Sequence, residues 1–510
     1  MSDSTCAPSS ATHPVTVDGG TIAGIVDADC SQIEYRAIPF AAPPVGELRW
    51  RAPQPVVPWS GVRVCDRFAP MCAQPARPER SIFLEYAGEQ ATSEDCLYLN
   101  VFVPLDRAAA RLPVMVWIHG GAFQVGSSTN ATFVRGDLTR HGVILVTINY
   151  RVNAFGFLSH PELTAESRNE ASGNYGLMDQ VAALAWVRRN IAAFGGDPES
   201  VTVFGQSAGG ASIANLMASP LAKGMFDRAI VQSVAFMPMM PLAQAEQQGV
   251  DFMKRAGATN IAELRARPAS QIVGLSKAMQ PLIWPSVDGY VMPESADAVF
   301  FAQRQMRVPM LTGWTRDEGT VFPAFEEAGA LREALRARFG SRTALALQHY
   351  PADNDAQARE SSKRINGDAL AGAGVWQGAC AHAQGGNPVW LYHFEHAQPF
   401  FAGQAYAESD PASALGVFHS ADYPYVFGTL KELTRPWAEE DFAVRDLMQR
   451  YWVSFARNGD PNVAGLPGWT RFDGREDATM RLSATPHMDA IPRLDALRFL
   501  GDEDMIGNFL

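Results

Sequence analysis

Residues 174–212 read NYGLMDQVAALAWVRRNIAAFGGDPESVTVFGQSAGGAS. Leu177, Val181, Leu184, Val187, Ile191 and Phe194 recur three and four apart, which predicts one helix with one buried face. Val201 to Phe204 is a short run without a charged residue, as expected of a strand covered on both sides. Gly205-Gln206-Ser207-Ala208-Gly209 follows at once and leads into a second helix. It matches G-x-S-x-G, the sharp strand-to-helix turn that exposes a serine hydroxyl. Its two glycines allow backbone to crowd the turn. Ser207 thus stands at a helix N-terminus, where the dipole and free N–H groups favour developing negative charge.

Outward from this stretch, apolar runs alternate with helical patterns. Leu97 to Val103, Val114 to Ile118, Val143 to Ile148, Ala229 to Val231, Pro309 to Thr312 and Val389 to Phe394 read as strands. Alternation of this kind predicts an α/β fold with a mostly parallel central sheet and helices on both faces. Val15 to Trp50, broken by Gly and Pro, predicts small antiparallel strands ahead of that sheet. Residues 240–300 and 323–385 read as helical insertions walling a pocket above it, and Phe442 to Asn458 as a late helix. With no repeat and no linker, one domain over 1–510 is expected, residues 1–13 forming a polar tail.

The 510 residues are 47% hydrophobic and 19% charged, with a net charge of −12. That balance is globular, and its sign disfavours nucleic acid as a partner. No apolar run reaches the ~18 residues needed to span a membrane. The first residues show neither a basic segment nor an apolar one, so a cytoplasmic location is expected. Six cysteines are too sparse for a disulfide scaffold. The lack of C-x-x-C, H-E-x-x-H and Walker patterns argues for no metal and no cofactor. A small-molecule substrate and a monomeric chain are the expectation.

A serine hydroxyl needs a histidine base, and the base needs an acid to orient it. After an elbow of this kind the order is serine, acid, histidine. Among ten histidines, His419 in Leu415-Gly-Val-Phe-His-Ser-Ala-Asp lies in a turn after the last apolar strand. The acid candidates are Glu318 and its neighbour Asp317, which follow the 309–312 strand. The oxyanion of an acyl-transfer intermediate needs preset N–H donors. Val116-Trp-Ile-His-Gly-Gly-Ala-Phe offers the backbone N–H groups of Gly121 and Ala122, and Ala208 supplies a third. His119 reads as a structural residue holding this loop.

With these residues in view, the chain resembles the type-B carboxylesterases, the cholinesterase-like branch of the α/β hydrolases, and in particular bacterial para-nitrobenzyl-esterase-like members. The resemblance runs nearly end to end through Ile38-Pro-Phe-Ala-Ala-Pro-Pro-Val-Gly, Ser93-Glu-Asp-Cys-Leu-Tyr-Leu-Asn, His119-Gly-Gly-Ala-Phe, Asn149-Tyr-Arg-Val-Asn-Ala-Phe-Gly-Phe-Leu, Tyr451-Trp and Asn458-Gly-Asp-Pro-Asn. It implies a serine esterase with Ser207 as nucleophile, Glu318 as triad acid and His419 as base. It implies an oxyanion hole at Gly121, Ala122 and Ala208, with Ala122 standing where the family commonly has a third glycine. It also implies a structural Arg151–Asp179 ion pair and a disulfide between Cys72 and Cys96. Relatives that have lost catalysis typically lack a triad residue, whereas this chain keeps all three. A diester, carbamate, lactone or amide substrate, or a non-catalytic interaction protein, are the alternatives.

Cholinesterase-like enzymes carry Glu just before the nucleophile and a tryptophan between the two cysteines. Here the first is Gln206, and the interval holds Phe83 and Tyr86 but no Trp. Both supports for a quaternary ammonium are weakened. Phe123, Phe322, Trp284 and the Phe236-Met-Pro-Met-Met240 segment are candidate pocket walls, with Met240 at its end. They favour neutral esters with apolar or aromatic groups.

Overall fold

A computed structural model describes residues 12–29, 31–87, 91–106, 111–475 and 477–501. Its centre is a sheet of thirteen strands. Twelve lie along one path: β1 (Thr12–Val17), β2 (Gly20–Val26), β3 (Gln32–Pro39), β4 (Tyr98–Pro104), β5 (Leu112–Ile118), β6 (Ile144–Ile148), β7 (Gly196–Gln206), β8 (Arg228–Gln232), β9 (Met310–Thr315), β10 (Val389–Phe394), β11 (Ala478–Leu482) and β12 (His487–Ala490). Their spatial order is β1-β2-β3-β4-β6-β5-β7-β8-β9-β10-β11-β12, with Val62–Val64 paired to β2. From β6 to β11 every neighbouring pair is parallel, and antiparallel pairs close both ends.

Alternation along β5 explains why its sequence reads as one apolar run. Val114, Val116 and Ile118 join the core on one face, and Met115 and Trp117 join the core on the other. Each successive side chain of a strand points to the opposite face, so a sheet covered twice must be apolar at every position. The helix Tyr175–Asn190, continued as a 3-10 turn to Phe194, buries Leu177, Leu184, Val187, Ile191 and Phe194 as its spacing predicts. Val181 is only partly buried at the edge of that stripe. The insertions are helical as expected: Leu242–Arg255, Ile261–Arg265, Ala269–Lys277 and Ala296–Phe301 in the first, then Ala328–Phe339, Thr343–His349, Asp355–Gly367 and Ala373–Gln384 in the second. No helix among the described residues is long and apolar enough to cross a membrane.

Two boundaries differ from the sequence reading. Residues 1–11 of the expected tail lie outside the described residues, while Thr12 and His13 belong to β1 and not to a tail. β7 begins at Gly196, where register shifts against β5 between Gly196 and Val201; Asp197, Pro198 and Glu199 hid that extension from an apolarity criterion.

Arg151 and Asp179 form the expected buried ion pair, with Nε–Oδ2 and Nη2–Oδ1 both at 2.8 Å. Cys72 and Cys96 are joined by a disulfide, their Cα atoms 5.0 Å apart. It closes a loop of 24 residues, worth about 3 kcal/mol through the unfolded chain. Thiol titration of the denatured, unreduced protein is expected to find at most four free thiols out of six cysteines; six would contradict the bond.

Candidate active site

Ser207 ends β7 and begins the helix Ala208–Ala218 with φ 59° and ψ −128°. A non-glycine residue in that region is strained, and the surroundings must hold it. They do so by crowding. A Cβ on Gly205 would lie 2.7 Å from the Ile118 carbonyl oxygen, and one on Gly209 would overlap the same atom. The Ser207 N–H donates to the Gln232 carbonyl at 3.0 Å. The serine is half-buried while residues on both sides of it are buried, so its hydroxyl is the accessible point of the turn.

The turn after β9 resolves the choice between the two acids. Glu318 is 1% exposed. One carboxylate oxygen contacts His419 Nδ1, and the other accepts the Thr315 N–H at 2.8 Å. Asp317 instead accepts the Val417 N–H at 2.8 Å and the Arg316 Nε–H at 3.0 Å, which clamps the strand-like segment before His419. His419 is therefore held at Nδ1, leaving Nε2 for chemistry. Among the described residues no hydrogen bond joins Ser207 Oγ to His419; such contacts are often long in unliganded enzymes and tighten with substrate.

Gln206 is fully buried against the same histidine. Its Oε1 accepts from Tyr423 Oη at 2.6 Å and from Ser420 Oγ at 3.2 Å, which fixes the amide orientation. Its Nε2 lies 3.3 Å from both ring nitrogens of His419. Only a position over the ring face allows that equidistance, since an in-plane atom would strike Cε1. The amide therefore braces the imidazole without taking its free lone pair.

The loop after β5 lies on the elbow: a Cβ on Gly120 would be 3.1 Å from Ser207 Cβ. Gly121, Ala122 and Phe123 all have positive φ, at 117°, 54° and 59°. The Gly121 carbonyl accepts from Gln124 and Val125, closing the turn. No described hydrogen bond uses the N–H groups of Gly121, Ala122 or Ala208, so all three remain available as donors. His119 holds the loop as expected. Its Nδ1 is 2.9 Å from the Gly120 carbonyl, its ring stacks on Tyr150 at 4.3 Å, and burial pushes its pKa down to about 4. It is neutral and no base for Ser207.

The expected pocket walls divide. Phe123 is 0% exposed and meets Phe157 edge-on at 5.3 Å, so it is core and not pocket wall. The sequence position alone did not reveal that contact. Phe236 is likewise core, against Phe300. Trp284, Phe322, Met237, Met239 and Met240 stay half-buried. The Gln124 side chain donates to the Ile283 carbonyl at 2.6 Å, tying the glycine loop to the segment that carries Trp284. The side chain of Tyr86 lies outside the described residues.

Sequence reasoning missed Asp422. It is fully buried three residues after His419, with Oδ2 accepting from Gln232 Nε2 at 2.7 Å and Oδ1 without a partner among the described residues. Burial pushes its pKa up to about 6, which the Gln232 hydrogen bond only partly opposes. A carboxyl raised in the folded state binds its proton more tightly there than in the unfolded chain. Stability is therefore lost as pH rises from about 4 through 6. Asp422→Asn removes that loss, so its melting temperature relative to wild type should climb across the window, by the equivalent of up to about 3 kcal/mol. Calorimetry at pH 4, 5, 6 and 7 checks this; a flat difference contradicts it.

A parallel sheet with a strained serine elbow after β7, an acid after β9 and a histidine after β10 defines a serine hydrolase of the α/β-hydrolase fold. The model of the carboxylesterase family matches residues 11–500, and the chain belongs to that family. It is 35% identical to para-nitrobenzyl esterase of Bacillus subtilis (strain 168) over 490 residues, covering 92% of this chain and 94% of that protein. It is 35% identical to fumonisin B1 esterase of Sphingopyxis macrogoltabida over 478 residues, covering 89% and 84%. A solved thermophilic PNB esterase superposes with a TM-score of 0.83 at 32% identity, covering 96% of this chain and 99% of that one. The chain is a carboxylic ester hydrolase, and the reading as a non-catalytic interaction protein is not favoured.

Proposed function

We propose that this chain, acting as one α/β-hydrolase domain, cleaves neutral carboxylic esters with an apolar or aromatic part through an acyl-enzyme on Ser207. His419 Nε2 takes the serine proton as Oγ attacks the ester carbonyl, then delivers it to the departing alcohol. The Glu318 carboxylate keeps Nδ1 protonated and stabilises the imidazolium that forms. The N–H groups of Gly121, Ala122 and Ala208 receive the oxyanion. Water activated by the same histidine then releases the acid. The observation that carries this reading is the buried Glu318–His419 contact beside an accessible serine on a strained elbow.

Gln206 carries no charge, and its amide is committed to Tyr423, Ser420 and His419. It offers nothing to a quaternary ammonium. The half-buried Trp284, Phe322 and methionines supply apolar surface, and methionine adapts to varied shapes. Butyrate and benzoate esters are expected to exceed matched choline esters in kcat/KM by about tenfold or more. A preference for the choline series would contradict the substrate reading.

A further inference from the structure

The imidazole of His419 is held by one contact in its plane and one above it. Glu318 meets Nδ1 in the plane. A contact at one nitrogen limits rotation within the ring plane and leaves the tilt of that plane free. The tilt falls to Gln206, whose Nε2 lies 3.3 Å from both ring nitrogens and so over the ring face. An N–H directed at a ring face is a weak contact. It orients the imidazole only if the amide itself cannot move.

Tyr423 anchors that amide. Its hydroxyl donates to Gln206 Oε1 at 2.6 Å, and Ser420 Oγ adds a longer bond at 3.2 Å. The tyrosine ring is wedged edge-on between others, 5.6 Å from Trp117 and 5.2 Å from Phe133. Burial pushes the phenol pKa up, so the hydroxyl stays protonated and remains a donor. The same hydroxyl borders the glycine loop. A Cβ on Gly120 would lie 3.3 Å from Tyr423 Oη and 2.7 Å from the Gln206 carbonyl oxygen. Tyr423 Oη thus stands where the elbow, the oxyanion loop and the segment carrying the base meet.

Resting on the reading of His419 as the base, we propose that Tyr423 is a positioning residue for this reaction, setting the plane of the imidazole through the Gln206 amide without placing a negative charge beside it. A carboxylate in the place of that amide would favour the imidazolium and withdraw the base at a higher pH. The other titratable groups around the ring are Glu318 from the turn after β9, and Asp422 and Tyr423 from its own segment. Tyr392 of β10 faces Glu318 and Asp422. A substitution at Gln206 leaves all four in place, so their own titrations are common to wild type and variant. Tyr423 exchanges no proton; it acts through Gln206.

The test measures kcat and KM for a chromogenic short-chain ester across the acid and neutral range. It uses wild type, Tyr423→Phe, Gln206→Met, their double variant and Gln206→Glu. Tyr423→Phe keeps the ring contacts and should lower kcat by about tenfold, with KM within about twofold of wild type. In the Gln206→Met background the hydroxyl has no amide to hold, so adding Tyr423→Phe should cost less than about twofold more. Gln206→Glu keeps an acceptor for Tyr423 and should move the acid limb of kcat/KM up by about one pH unit. A loss of packing alone would give neither the coupling nor the moved limb. A wild-type kcat in Tyr423→Phe, an equal loss with and without Gln206, or an unmoved limb in Gln206→Glu overturns the proposal. Should Tyr423→Phe fail to fold, Gln206→Met and Gln206→Glu decide: a wild-type kcat in the first or an unmoved limb in the second overturns it. A wild type without esterase turnover would instead overturn the triad reading on which this rests.

Discussion

Ser207→Ala is expected to lower kcat by about a million-fold while the protein stays folded. Removing the nucleophile of a serine hydrolase costs that much, because histidine and acid act only through it. Alanine keeps the backbone N–H groups, so the residual rate comes from binding and from the donors at Gly121, Ala122 and Ala208. Folding should persist, because alanine keeps the backbone and Cβ of the elbow and removes only the hydroxyl of a half-buried residue. Turnover of a chromogenic short-chain ester, read beside circular dichroism, checks both halves. Retained turnover would remove Ser207 from the mechanism.

The second large effect is at Glu318. Glu318→Gln is expected to cut kcat by roughly a thousand- to ten-thousand-fold, since a neutral partner cannot stabilise the imidazolium and can select the wrong tautomer. The substitution also leaves the Thr315 N–H bond possible, so the turn should survive. Asp317→Asn is the matched comparison. It weakens the clamp on Val417 and the bond to Arg316, each worth about 1 kcal/mol, so activity should fall by about tenfold at most. Tolerance at Glu318 with intolerance at Asp317 would reverse the assignment of the acid.

The sequence was most legible where chemistry forces local pattern. A strained serine turn needs glycines on both sides, and both are crowded by the Ile118 carbonyl. A sheet covered twice must be apolar at successive positions, so the central strands were readable. Adjacent carboxylates were not separable by residue type, because Asp317 and Glu318 differ in direction rather than in chemistry; only the turn after β9 aims one at His419 and the other at Val417. Phe123 was misplaced because position after a loop does not show whether an aromatic faces a pocket or packs on a distant ring such as Phe157. Asp422 and Gln232 carry no motif. They matter through where the fold buries them and what it packs beside them, which spacing along a chain does not encode.

The most direct measurement is covalent labelling. The protein is treated with diethyl 4-nitrophenyl phosphate until esterase activity is lost, then digested and mapped by mass spectrometry. A stoichiometric diethylphosphoryl adduct on the peptide containing Gly205-Gln206-Ser207-Ala208-Gly209, assigned to Ser207, is the predicted result. Loss of activity with the adduct on any other residue, and Ser207 unmodified, would contradict it.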